Sequence, residues 1–329
     1  MAIRNHTILR QEVAFAAGDS AIVDNLPVNP LSFIDIILRG TTSATPTAPT
    51  LLNILATLTR IEVLFRGSAV VSIDPLDLYA LGLVMGWHGP LSSSRSNVTA
   101  DVFRLHLRLS FSRKLFWTKE GFPASRAGEL QIRYTPAAAF TNVATMSLLV
   151  ETEEILDANF ARFLKYTTQQ RTPAATGESD HDLPIGNPFA GILLFGTSAP
   201  QGGLANASMR EVRLLIDNQE AYVPRTRWDD LAAVFRGKSQ GAAWLAEHTH
   251  LENTAAAYTQ NATTGAPNWT SGAFHRYGFI DFDPLMDDDY LLPTAGRSSV
   301  KLRINADVAD AQRIIPIELL AIPGAASAQ

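Results

Sequence analysis

Two stretches of this chain, about half its length apart, follow the same pattern. The first reads Asp24-Asn25-Leu26-Pro27-Val28-Asn29-Pro30, then the apolar run Ile34-Asp35-Ile36-Ile37-Leu38, then Gly40-Thr41. The second reads Asp182-Leu183-Pro184-Ile185-Gly186-Asn187-Pro188, then Gly191-Ile192-Leu193-Leu194, then Gly196-Thr197. Further landmarks recur in the same order. Arg60-Ile61-Glu62-Val63-Leu64-Phe65 matches Glu211-Val212-Arg213-Leu214-Leu215-Ile216, and the segment from Pro123 to Arg133 matches that from Pro293 to Arg303. The offsets are 196 − 40 = 156, 212 − 61 = 151 and 293 − 123 = 170. One apolar strand can match by chance, but an ordered series does not, and a long internal repeat governs the fold before any single motif does. The late rise in offset locates an insertion between Arg236 and Phe274. The expected domains are 1–156 and 157–329, joined at 157–161, with an inserted loop at about 237–273.

The local signals are those of short strands. Val102 to Phe111 alternates apolar and polar residues, as a strand wet on one face does. The run Ile34–Leu38 is too apolar for a one-sided strand and predicts a central one. Asp74-Pro75 places an N-cap residue before a proline at the first helical position, which predicts a short helix. Its counterpart begins near Thr226 and is expected to end at Gly237. Residues 89–99 are expected to be loop. Each half offers roughly eight strands, one short helix and frequent turn signals. The fold class expected is all-β: two tandem eight-stranded jelly rolls with short helices after the strand hairpins. No strand runs into a Gly-rich phosphate loop, which argues against a nucleotide-binding α/β fold.

Composition narrows the function classes. The 329 residues suffice for two domains with their own cores. The formal net charge is −5 and the pI about 5.8, so no basic footprint for nucleic acid exists at whole-chain level. There are no cysteines, which excludes disulfides, thiolate metal sites and thiol nucleophiles. Charged residues make up 18%, against roughly 25% in typical globular chains, as expected where much surface meets other protein. No apolar run approaches the roughly 18 residues of a membrane span, and residues 1–6 lack the apolar core of a signal peptide.

Chemistry-bearing clusters are few. His248 and His250, beside Glu247, stand at alternate positions of an extended segment but have no evident third metal ligand. Asp281-Phe282-Asp283 and Asp287-Asp288-Asp289 form an acidic cluster without the glycine of a calcium loop. Asp35 and Glu62 could pair as two carboxylates. The repeat argues instead for ion pairs, because Arg213 occupies the position equivalent to Glu62. Arg133 and Arg303 are one position in two copies, either reaching a shared partner or capping the outer face of a strand. Trp87 is expected to pack. No Gly-x-Ser-x-Gly elbow occurs. No catalytic residue, cofactor site or metal site is expected.

Taken together, the paired Leu-Pro…Asn-Pro turns, the strand–hairpin–helix units and the paired strands ending at Arg133 and Arg303 resemble the double jelly-roll major capsid proteins of tailless icosahedral double-stranded DNA viruses, the bacteriophage–adenovirus structural lineage. The resemblance covers roughly residues 7–322. It implies two upright jelly rolls per subunit and a homotrimer with a hexagonal outline that tiles an icosahedral shell. It also implies no enzymatic activity, and a location in the virion after synthesis in the host cytoplasm. The partners it implies are further copies of the chain, penton and minor capsid proteins and an internal viral membrane, with no specific nucleic acid. The insertion, with Trp244 and Trp269, would form a tower or an intersubunit clamp. Two alternatives from other classes stand beside this: a secreted-type enzyme on paired jelly rolls, such as an amidase or cupin, and a carbohydrate-binding module.

Overall fold

The computed structural model describes residues 3–43, 51–87, 92–94, 102–198, 207–239 and 273–322. His248, His250, Trp244, Trp269 and most of the expected insertion lie outside these residues. The chain divides into two compact units, one built from residues within 3–164 and the other from residues within 165–238 and 273–321.

The first unit runs β1 (Ile3–Phe15), β2 (Ile22–Asn25), β3 (Leu31–Thr42), α1 (Leu51–Leu55), β4 (Leu58–Phe65), β5 (Ser68–Ile73), α2 (Pro75–Met85), β6 (Ser92–Ser94), β7 (Val102–Ser110), β8 (Leu130–Pro136) and β9 (Val143–Leu156). One sheet has the order β1-β9-β3-β7-β6, and a second set of strands has the order β2-β8-β4-β5. All the pairs with a defined register are antiparallel. The apolar run of β3 lies between β9 and β7 and is buried on both faces, as its composition predicts. Helix α2 begins where expected: Asp74 accepts from the Leu76 N–H at 2.9 Å, Pro75 opens the first turn, and Gly86 closes the helix at φ 69°. Every residue of α2 except Leu76 is buried, so the helix is part of the core rather than a cover over it.

Strand β10 (Arg162–Thr167) leads into the second unit, which continues through β11 (Gln169–Arg171), β12 (Gly177–Asp182), β13 (Phe189–Gly196), β14 (Glu211–Ile216), β15 (Gln219–Glu220), β16 (Thr226–Arg227), α3 (Trp228–Lys238), β17 (Tyr277–Asp281), β18 (Val300–Ala306) and β19 (Gln312–Ala321). Its sheets have the orders β17-β13-β19, with β11 on β19, and β12-β18-β14-β15, with β16 on β14. Phe189, Ile192, Leu194, Val212, Leu214, Leu302, Ile304 and Ile314 form the core between them. Burying each such side chain contributes roughly 1.5–3 kcal/mol. Helix α3 adds Trp228, Leu231, Ala232 and Phe235, the i, i+3, i+4, i+7 stripe of an amphipathic helix.

Two expectations are corrected, and two further elements are added. Gly237 does not end α3: the helix runs on to Lys238, and Gly237 lacks the positive φ of a C-cap. Ser92–Ser94, expected as loop, pairs with β7 opposite Leu105, Arg104 and Phe103. Residues 51–55 form helix α1. Strand β12 has the sequence Gly-Glu-Ser-Asp-His-Asp, which carries no apolar signal. It is held by its ladder to β18 and by side-chain ion pairs instead of by core burial.

The repeat has a common hydrogen-bonding frame. Leu26 N–H donates to the Leu130 carbonyl at 2.9 Å, and Leu183 N–H to Val300 at 2.8 Å. Asn29 donates its side-chain amide to Glu154, and Asn187 donates to Glu318. The Pro30 carbonyl accepts from Ile155 and the Pro188 carbonyl from Leu319, both at 2.9 Å. Leu31 and Phe122 exchange two backbone hydrogen bonds, as do Phe189 and Leu292.

Candidate functional site

Asp35 and Glu62 do not meet. Asp35 is on β3 in one sheet and Glu62 is on β4 in the other set of strands. Asp35 receives a bidentate pair from Arg108, Nε to Oδ1 at 2.6 Å and Nη2 to Oδ2 at 2.8 Å, because the antiparallel register sets the two residues opposite each other. His106 Nε2 lies 3.2 Å from Oδ1. Burial works to raise the Asp35 carboxyl, but hydrogen bonds and charge from His106 and Arg108 outweigh it and hold the group below its ordinary 3.8. Arg108 also donates to the Trp87 carbonyl at 3.0 Å and stacks over Phe33. This Asp–His pair is the most enzyme-like arrangement in the described residues. A working triad turns the second imidazole nitrogen toward a nucleophile. Here His106 Nδ1 is buried without a hydrogen-bond partner among the described residues.

Glu62 accepts from Arg133 Nε at 2.7 Å and from Ser72 at 3.2 Å. The second unit rearranges this row. Arg303 faces Arg213 on β14, as Arg133 faces Glu62 on β4. The carboxylate has moved to the opposite neighbour: Arg303 pairs with Asp180 on β12, Nε to Oδ1 at 2.7 Å and Nη2 to Oδ2 at 3.0 Å, where the first unit has Val23. Arg213 in turn lies 3.0 Å from Glu178 and 3.3 Å from Glu220. Like charges directly opposite destabilise a ladder, and the flanking carboxylates offset this. Both arginines therefore have a carboxylate partner inside their own sheet.

The acidic cluster closes on itself. Asp283 is 3% exposed, and its Oδ1 accepts from the N–H groups of Asp287 and Asp288, both at 3.2 Å. Asp281 Oδ2 lies 2.6 Å from Lys238 Nζ. Oxygens that would serve a cation thus hold the loop's own backbone, and no group of three or more metal-ligating side chains occurs among the described residues. Trp87 is 1% exposed and donates to the Arg113 carbonyl at 3.3 Å, so it is a packing residue.

The sequence reading missed the buried glutamates. Glu120 is completely buried and binds two arginines, with Arg113 Nε at 3.0 Å and Arg162 Nε at 2.9 Å. Glu154 on β9 and Glu318 on β19 are each 1% exposed. Their one signal was position: each is a carboxylate inside or beside an apolar strand, at corresponding places in the two copies. These carboxylates hold the turns at Asn29, Asn187 and Arg113. No helix among the described residues is long and apolar enough to cross a membrane.

No sequence-family profile matches the chain. No curated protein matches it by sequence either. Solved structures do match, from end to end. The major capsid protein of STIV, Sulfolobus Turreted Icosahedral Virus, is similar at a TM-score of 0.68 and 14% identity, covering 97% of this chain and 97% of that one. A chain from the atomic structure of that same virus gives 0.69 at 13% identity, covering 97% and 91%. The major capsid protein P2 of bacteriophage PM2 gives 0.60 at 12% identity, covering 98% and 99%. This chain has the double jelly-roll fold of those capsid proteins.

Proposed function

We propose that this chain is a major capsid subunit of an icosahedral virus, a structural protein and not an enzyme. The observation that carries the reading is the match of nearly the whole chain, both jelly rolls in tandem, to capsid proteins of similar length. The side chains support it. Among the described residues, Asp35, Glu62, Glu120 and Asp283 are engaged by arginines or by backbone N–H groups. Three subunits with two similar units each supply six similar corners, so a closed threefold ring can take a hexagonal place in a shell. In this reading the chain contacts its own copies within and between capsomers, and penton and minor capsid proteins complete the shell. It faces an internal membrane without reading nucleic acid sequence, and it resides in the virion after synthesis in the host cytoplasm.

The test is the native mass of the purified full chain by light scattering and native mass spectrometry across a range of concentration. The expected species is a trimer of the 35.7 kDa chain, with shells or sheets at higher concentration. A monomer that persists at every concentration and gains thermal stability with a glycan would overturn the reading.

A further inference from the structure

We propose that copies of this chain meet through two topologically equivalent loops of opposite charge, residues 112–119 of one copy against residues 283–290 of another. The proposal rests on the self-assembly reading above and names the surfaces that carry it.

The equivalence comes from the ladders. The first loop leaves β7, whose Ser110 faces Phe33, and ends where Phe122 bridges Leu31. The second leaves β17, whose Asp281 faces Gly191, and ends where Leu292 bridges Phe189. Leu31 and Phe189 each follow an Asn-Pro pair, so the two loops occupy one corner of the jelly roll in its two copies.

What the corners display is opposite in sign. Between 112 and 119 every charged residue is a cation, Arg113, Lys114 and Lys119. Lys114 and Lys119 are exposed, and Arg113 is turned inward to Glu120. Between them Phe116 is 42% exposed, held at φ 60° with its N–H on Ser32 Oγ and its ring edge-on to Phe33. Lys114 lies over the Trp117 ring at 5.0 Å. Between 283 and 290 every charged residue is an acid. Asp287 and Asp289 are exposed beside Leu285 at 66% and Tyr290 at 59%, on a loop rooted by buried Asp283.

Each corner therefore has an apolar centre with a charged rim, which is the anatomy of a protein interface. The signs decide which corner meets which. Two first loops, or two second loops, would bring like charges together, whereas a first loop against a second pairs them. Such a contact is heterologous, the kind that closes into rings or extends into arrays. Nucleic acid is disfavoured as the occupant, because the second corner would repel it.

The experiment compares the full chain with two charge reversals, Lys114→Glu/Lys119→Glu and Asp287→Lys/Asp289→Lys, by analytical ultracentrifugation. Melting temperatures near that of the unaltered chain verify folding. Each variant alone is expected to self-associate about tenfold or more weakly. An equimolar mixture of the two is expected to form pairs of unlike chains, because opposite corners then meet again, although two kinds of chain cannot alternate around a ring of three. Association of the unaltered chain is expected to weaken as salt rises. If both variants assemble like the unaltered chain, or if the mixture associates no more tightly than either variant alone, the loop proposal fails and the capsid reading stands. If the unaltered chain is monomeric throughout, both fall.

Discussion

Asn187 donates its side-chain amide to Glu318 at 2.9 Å, joining the turn before β13 to the last strand of the second unit across 131 positions of sequence. The proline at 188 explains the choice of residue. It forces the residue before it into extended backbone and offers no N–H of its own. The side chain of Asn187 supplies a donor that the proline cannot. Asn29 and Pro30 repeat the arrangement on Glu154. The supporting donors differ: Glu318 has Lys165 Nζ at 3.0 Å, whereas Glu154 accepts from Thr7 at 2.6 Å and Asn5 at 3.3 Å.

Removing either amide leaves a buried carboxylate short of a donor. Asn29→Ala and Asn187→Ala are each expected to cost about 1–3 kcal/mol in urea denaturation. The two sites share no partner, so the double variant is expected to be additive to within about 0.5 kcal/mol. A cost near zero for both would mean that the repeated Asn-Pro of the turn is not explained by this bond.

Two groups give separate windows of pH dependence. Asp35 is held below its ordinary 3.8, so its stabilisation is complete above that value and is lost as pH falls through the lowered one. His181 is pushed below 6.5, first by burial and then by Arg171, against the pull of Asp182. The unfolded chain therefore binds the His181 proton first, and stability declines as pH drops from about 6.5 toward the lowered value. In urea midpoints measured from pH 2 to 8, Asp35→Asn is expected to flatten the acid limb below about 4, and His181→Gln the limb below about 6.5.

How much of this was legible in the sequence depended on what each element is held by. Strand β3 could be read because apolar burial on two faces leaves an unbroken run, Ile34 to Leu38 interrupted only by Asp35. Helix α2 could be read because Asp74 and Pro75 mark its start locally. Strand β12 could not, since Glu178, Asp180 and Asp182 are held by partners remote in sequence. The ion pairing of Asp35 and Glu62 followed from the repeat, but Glu120 has no such cue: its two arginines become neighbours only when the chain folds. The two charged corners were visible only as an isolated acidic run until the ladders aligned them with Lys114 and Lys119.

Ion pairs in this fold are expected to differ in effect by burial alone. Arg113 and Glu120 are both fully buried, whereas Arg303 and Asp180 each keep 36% of their side-chain exposure. Glu120→Ala strands two guanidinium groups and is expected to cost about 3–5 kcal/mol. Asp180→Ala breaks an equally well-formed bidentate pair in water and is expected to cost about 1 kcal/mol or less, fading with salt. Chemical denaturation at low and high ionic strength separates the two cases. Comparable costs would show that geometry outweighs desolvation here.

The duplicated Gly-Thr pairs make a last comparison. A β-carbon built on Gly40 meets the Thr145 carbonyl oxygen at 2.4 Å, Phe103 Cζ at 2.5 Å and Met146 Sδ at 2.7 Å. The carbonyl belongs to β9, paired to β3, and cannot withdraw without opening that ladder, while the Phe103 ring on the other side is fully buried. At Gly196 the nearest atom is Ser208 Cβ at 3.1 Å, at the end of a strand followed by a bend. Gly40→Ala is therefore expected to cost about 3 kcal/mol through overpacking. Gly196→Ala is expected to cost less than about 1 kcal/mol, because a few tenths of an ångström of movement relieve it. Thermal and urea unfolding of the two variants measure the difference. Equal costs would mean that the close approach of strands at Gly40 is not what selects the glycine there.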